Sequence, residues 1–135
     1  MLSLPLAIRS GASMYSGLLL FAVLALTVYG QLMIKWRALA HAGEAIGLQG
    51  KLHYLVSMFT DIGVLSGLAA AVLAGVCWML AITRLELGYA YPFMALSFVL
   101  VPVGSTLLFG EPLPKLQLLA LALIIAGVAL SALTR

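Results

Sequence analysis

The sequence predicts an all-α membrane protein built from four transmembrane helices. Three observations carry that reading. The 135 residues are 64% hydrophobic and only 8% charged, against about 25% charged in soluble domains. There is too little polar surface to cover a water-soluble globule. Four uncharged stretches, at about 14–34, 62–83, 87–110 and 116–134, match the roughly 20 apolar residues that a helix needs to cross a bilayer. The links between them are short apart from a polar region at 36–61, which is too small for an independent domain. Residues 1–135 therefore read as a single four-helix transmembrane domain.

Composition also excludes several functions. The formal charge of +3 is small and dispersed, without the basic stripe that nucleic acid requires. Cys77 lies alone inside an apolar segment; it has no intrachain disulfide partner and reads as a small hydrophobe. No Cys/His cluster has metal-ligand spacing, so no metal or cofactor is expected. A GxxxxGK[ST] loop is absent. No nucleophile–base pair stands out, no catalytic residue is assigned, and the chain does not read as an enzyme.

Residues 1–13 read as a short leader whose only charge is Arg9. A cleaved signal peptide is not expected. The apolar run after Arg9 has the length of a full span, and Lys35, Trp36 and Arg37 separate it from the Ala38-Leu39-Ala40 triplet. Within the first span, Thr27, Gln31 and Lys35 follow at intervals of four and fall on one helical stripe. Gly30 beside them lets another backbone approach. An amide such as Gln31 needs a partner in hydrocarbon. Lys35 has two readings: a cation that suits the helix end and snorkels to the headgroups, or a ligand-binding group.

The 36–61 region mixes Arg37, His41, Glu44, Lys51, His53 and Asp61 with leucines and Phe59. It predicts a loop with a short helix lying in the membrane interface. His41 and His53 read as ordinary interfacial residues, with proton sensing as the alternative. In the second span Gly63, Gly67, Ala71 and Gly75 recur every four residues and predict a continuous small-residue packing ridge. Trp78 reads as an interfacial anchor. The brief Arg84-Leu85-Glu86 link makes the second and third spans a tight antiparallel hairpin.

The third span contains Pro92, Pro102 and several polar residues. Each proline removes a backbone donor, and the freed carbonyls need other partners. A helix facing only lipid would not need these residues. It is expected to line a cavity or a tight interface, with the other helices arranged around it. Ser97 and Ser105 share one of its faces with Gly104; each can bond a sugar or simply bond back to a preceding carbonyl. Pro112 and Pro114 enforce a turn before the fourth span, where Ala122, Ala126, Gly127 and Ser131 offer a packing surface. Glu111 can pair with Lys115, interact with the positive end of the fourth helix, or touch a ligand. Arg9, Arg84 and Arg135 fall on one side of the membrane, and Lys35, Arg37, Lys51 and Lys115 on the other. That near balance fixes no orientation and is compatible with dual insertion.

The segments GQLMIKW, AYPFMALSFVLV, FGEPL and LIIAGVAL, in this order, resemble the small four-helix members of the drug/metabolite transporter superfamily. Within it the chain is most similar to subunits of the inner-membrane flippase for aminoarabinose linked to undecaprenyl phosphate. The resemblance runs from about Thr27 into the last helix. It implies a small-multidrug-resistance-like bundle forming one half of a dimeric transporter, in a homodimer or a heterodimer with a similar small four-helix protein. The family pattern falls on Gly30, Gln31, Lys35, Ala90, Tyr91, Pro92, Ser97 and Glu111. The related multidrug exporters rely on a glutamate in the first helix, whereas Met14 to Ile34 contains no acid. That departure favours the lipid-carrier branch.

The implied substrate is a polyprenyl-phosphate-linked sugar in the inner membrane. Its anionic headgroup needs a cation with hydrogen-bond donors beside it. Lys35, Gln31 and Tyr91 supply this combination if the first and third helices meet. Arg84 is either a second phosphate partner or a topology signal. Ser97 and Glu111 complete the expected binding set. Two alternatives stand: a multidrug or metabolite exporter of the same fold, and a non-transporting membrane subunit of a glycosyltransferase complex.

Overall fold

A computed structural model describes residues 6–134, with side chains from Met14 onward. The side chains of the leader, Arg9 included, and Arg135 lie outside the described residues. Six α-helices follow one another: α1 (Leu6–Ala40), α2 (Gly47–Thr60), α3 (Ile62–Ile82), α4 (Leu87–Met94), α5 (Ser97–Phe109) and α6 (Lys115–Leu133). There is no strand among the described residues. Four helical stretches are long and apolar enough to cross a membrane: Met14–Ala40, Ile62–Ile82, Leu87–Phe109 and Lys115–Leu133. The chain is a multi-pass membrane protein with the predicted four-helix architecture.

The first helix does not stop at Ile34. It continues through Lys35, Trp36 and Arg37 to Ala40. The sequence KWRALA holds no helix breaker, and charge ends an apolar run without ending a helix. Residues 36–40 of the expected polar region therefore belong to the first helix; a 3-10 turn at Ala42–Glu44 and then α2 follow. Helix α2 is the short helix predicted for that region. Leu48, Leu52, Leu55, Val56 and Phe59 are exposed on it, while Met58 is buried. Apolar side chains at that helical spacing suit a helix lying against lipid headgroups.

The third span is two helices, α4 and α5, that meet at Ala95 and Leu96. The break falls between Pro92 and Pro102. Around it the amides reach back three residues: Ala95 N–H to Pro92 O at 3.1 Å, Leu96 to Phe93 at 3.1 Å and Phe98 to Ala95 at 3.0 Å. This is 3-10 tightening. Ser97 Oγ donates to Met94 O at 2.7 Å, and Thr106 Oγ1 to Pro102 O at 3.0 Å. The Ser97 hydroxyl thus supplies a partner for the Met94 carbonyl at the break, as irregular backbone in a membrane helix requires.

The longest packing seam joins α1 and α3, so the helices are not arranged around the third span as expected. The seam is close because it is built from small residues. A methyl group on Gly30 would come 2.9 Å from the Gly67 carbonyl oxygen. On α5, one on Gly104 would come 2.9 Å from Leu32 Cδ1 of α1. The buried residues of α3 are Val64, Gly67, Ala70, Ala74 and Ala81. Gly63 and Gly67 meet α1, but Ala71 and Gly75 are exposed. A step of four residues overshoots a 3.6-residue turn by about 40°. Over three steps the expected ridge rotates by about 120° and leaves the seam. Nearer the Arg84 end, Leu20, Ala81 and Ala90 are buried together under Trp78, Leu85 and Phe93, which ties α1, α3 and α4.

Candidate functional site

The rotation of α3 opens a groove of about 360 Å³ between α1, α3 and α4. Thr27 and Gln31 line it from α1, Gly67, Ala71 and Gly75 from α3, and Tyr91 and Met94 from α4. The small residues of α3 leave the space; the longer polar side chains frame it. Gln31 is exposed, and Tyr91 is 62% exposed. Trp78 also lines the groove and stands edge-on to Tyr91, with ring centroids 5.4 Å apart at 87°. Such a T-shaped pair fixes both rings. Trp78 is thus half-buried against a partner ring in addition to any interfacial role.

Lys35 does not line this groove. Two four-residue steps from Thr27 rotate it by about 80° around α1. It turns instead toward the link after α5 and forms an ion pair with Glu111. The other oxygen of Glu111 accepts from Ser105 Oγ. Ser105 is only 6% exposed, whereas the Lys35 and Glu111 side chains are 38% and 42% exposed. The Lys35 ammonium and the Ser105 hydroxyl hold the Glu111 carboxyl below its ordinary range. Lys35 Nζ also stands over the Phe109 ring, 5.8 Å from its centroid. Phe109 lines a second, apolar cavity of about 440 Å³ with Tyr29, Leu32, Met33, Trp36 and Leu108.

Glu111 does not pair with Lys115. Residues four apart become neighbours only on a helix, and Pro114 is extended at φ −63° and ψ 151°. Pro114 also occupies the N-cap position of α6, without a side-chain cap.

A second polar centre at the same membrane end was not singled out from the sequence. Asp61 caps α3, accepting from Gly63 N–H at 2.8 Å and Val64 N–H at 3.2 Å. Arg37 Nε reaches both of its oxygens at 2.9 Å, and its terminal nitrogen bonds there too. His41 Nε2 lies 3.2 Å from the same carboxylate. The Asp61 side chain is 8% exposed. Gly63 makes room, since a methyl group there would come 2.7 Å from Arg37 Cγ. His41 Nδ1 then meets Glu44 at 3.2 Å, and His53 approaches Glu44 at 3.7 Å. Arg37, aided by His41 and the Val64 N–H, holds the Asp61 carboxyl far below the usual range. Asp61 and then Glu44 raise His41 above its ordinary value, and His41 and Ser57 lower Glu44. One signal for this centre was legible: an Asp directly before a small-residue apolar helix is an N-cap pattern.

Arg84 lies at the opposite end of the spans, with its guanidinium carbon 4.9 Å from the centre of the Tyr15 ring. The 21 residues of α3 separate the two ends, about 30 Å at the rise of an α-helix. Arg84 and Lys35 therefore cannot hold one phosphate in this conformation. Ser97 is engaged with Met94 O, and Pro92 lies one residue beyond the groove residue Tyr91. Of the expected binding set, Gln31 and Tyr91 share the groove, Lys35 and Glu111 share an ion pair, and Ser97 and Arg84 stand apart.

No family model matches the chain, and no solved structure matches it. Curated relatives do. Proteins from Pseudomonas aeruginosa (strain LESB58) and Pseudomonas paraeruginosa (strain DSM 24068 / PA7) are each 37% identical over 120 residues, covering 85% of this chain and 95% of the relative. One from Pseudomonas syringae pv. syringae (strain B728a) is 32% identical over 103 residues, 76% of this chain and 87% of the relative. All three carry the name "Probable 4-amino-4-deoxy-L-arabinose-phosphoundecaprenol flippase subunit ArnE". With identity of this level along most of both lengths, the chain belongs to the family of the ArnE flippase subunits.

Proposed function

We propose that the chain is a subunit of an inner-membrane transporter that flips a polyprenyl-phosphate-linked sugar, such as undecaprenyl phosphate-aminoarabinose. The observation that carries this reading is the 37% identity to relatives named as subunits of such a flippase, along 95% of their length. The chemistry of the site supports it. An anionic lipid headgroup needs a cation near the membrane surface, and Lys35 is half-exposed there. The apolar cavity that shares Phe109 with Lys35 suits the lipid chain, and the groove framed by Gln31 and Tyr91 suits a polar sugar. The protein's part is binding and reorientation, and no enzymatic step is assigned to it.

One bundle of four spans is a small enclosure for such a headgroup. Many transporters hold substrate between two related halves. In this reading a second copy, or a similar small four-helix protein, closes the open side of the groove. Lipid vesicles carrying the chain with its co-expressed partner are expected to translocate the lipid-linked sugar. Lys35→Gln removes a charge-assisted contact and should lower the rate about tenfold. Vesicles with neither the chain alone nor the pair showing translocation would sink the proposal.

A further inference from the structure

We propose that Glu111 is a resident counter-ion of Lys35. Its carboxylate occupies the place of a lipid phosphate-ester anion on that cation and gives way when the anion binds. The inference rests on the reading of the chain as a subunit that binds a polyprenyl phosphate.

Three features of the pair carry it. First, the carboxylate is held as a phosphate would be. Lys35 Nζ pairs with one oxygen and Ser105 Oγ donates to the other. An ammonium suits a phosphate oxygen as well as a carboxylate oxygen, while the buried Ser105 hydroxyl seats the carboxylate beside it. Second, the pair can be reached. Both side chains are more than a third exposed, and Glu111 sits in the non-helical link between α5 and α6. Its side chain can turn away without breaking a helical hydrogen bond. Third, the lipid has an approach. Phe109 lies under Lys35 Nζ and lines the apolar cavity, so a chain seated there brings its phosphate to Lys35.

A resident carboxylate would do two things. It keeps the cation paired while no substrate is bound, and an unpaired charge near hydrocarbon is costly. It also selects by charge, because a neutral polyprenol cannot displace it. Ser105 is then a positioning residue that holds the carboxylate in place.

The test uses the full chain in lipid nanodiscs, with any subunit that co-purifies. Undecaprenyl phosphate, uncharged undecaprenol and inorganic phosphate are titrated against wild type, Glu111→Gln and Ser105→Ala. Glu111→Gln is expected to bind undecaprenyl phosphate roughly two- to fivefold tighter, the size set by loss of one exposed competing ion pair. Affinity for undecaprenol should not move. Ser105→Ala loosens the same carboxylate and should shift in the same direction by less; it carries the test should Glu111→Gln fail to fold. Equal tightening for inorganic phosphate assigns the site to a free anion and overturns the lipid assignment. Unchanged or weaker binding of undecaprenyl phosphate in both variants overturns the counter-ion role, while a wild type that binds this lipid still supports the function. Absence of binding in wild type and variants alike overturns both.

Discussion

Lys35 and Arg37 stand two residues apart near the end of α1, and each meets one acid. Residues at this spacing face different sides of a helix, so the two pairs tie α1 to different neighbours. Arg37 meets Asp61 at the start of α3, and Lys35 meets Glu111 after α5. Asp61 receives bonds from Arg37, His41, Gly63 and Val64 and is almost fully covered. Glu111 receives bonds from Lys35 and Ser105 and stays open. The guanidinium fork reaches both oxygens of its acid, whereas an ammonium is a point charge on a flexible stem. The charges are alike in the two pairs. Coverage and the number of partners separate a fixed staple from an exchangeable contact.

Asp61→Ala should give the largest effect. It removes the cap of α3 and strips Arg37 and His41 of their common acceptor. The melting temperature in detergent is expected to fall further than for any other variant here. Asp61→Asn, which keeps an acceptor for the α3 amides, should fall between. An Asp61→Ala protein as stable as wild type would erase the distinction between the pairs.

The same contrast between filled and open places runs along the helix seam. Gly30→Ala puts a methyl group 2.9 Å from the Gly67 carbonyl oxygen, and overpacking of this kind costs about 1–3 kcal/mol. Gly75 has nothing within 4 Å of an added methyl group, so Gly75→Ala should leave the melt unchanged.

Smaller effects are expected from pH. Asp61 is held below its ordinary 3.8, so its contribution is present above that value and fades in acid. His41 is raised above its ordinary 6.5; its contribution is complete below 6.5 and is lost as pH rises through the higher folded value. The Asp61 centre is therefore tightest between these limits. Melting temperature should decline as pH is raised above 6.5, and the decline should flatten in His41→Ala. A small change in stability, far below that of Asp61→Ala, is expected of Glu111→Gln, because exposed ion pairs contribute little. A Glu111→Gln melt as low as that of Asp61→Ala would mean that both pairs are structural.

Part of the site was legible because polar groups in an apolar span are conspicuous. Gln31 and Tyr91 were singled out on that ground, and they do share a groove. From the sequence Asp61 reads as one of several loop residues, since the 36–61 region holds many charges and none stands out. Ser105 reads from the sequence as a back-bonding or sugar-bonding hydroxyl, because nothing local connects it to Glu111. Both are defined by partners that other helices bring to them.

The sequence by itself determined the four spans, because bilayer thickness sets the length of apolar helix required. It also marked the third span as irregular, because Pro92 and Pro102 each lack an N–H. Only the tertiary structure decided where the break falls, which small residues form the seam, and which acid meets which cation. A four-residue repeat fixes angular position to within the drift of about 40° per step. Over three steps that drift moved Gly75 from the seam into the groove, and over two it took Lys35 from the groove to Glu111. Sequence spacing locates a side chain on its own helix; the neighbour it finds there depends on how the helices pack.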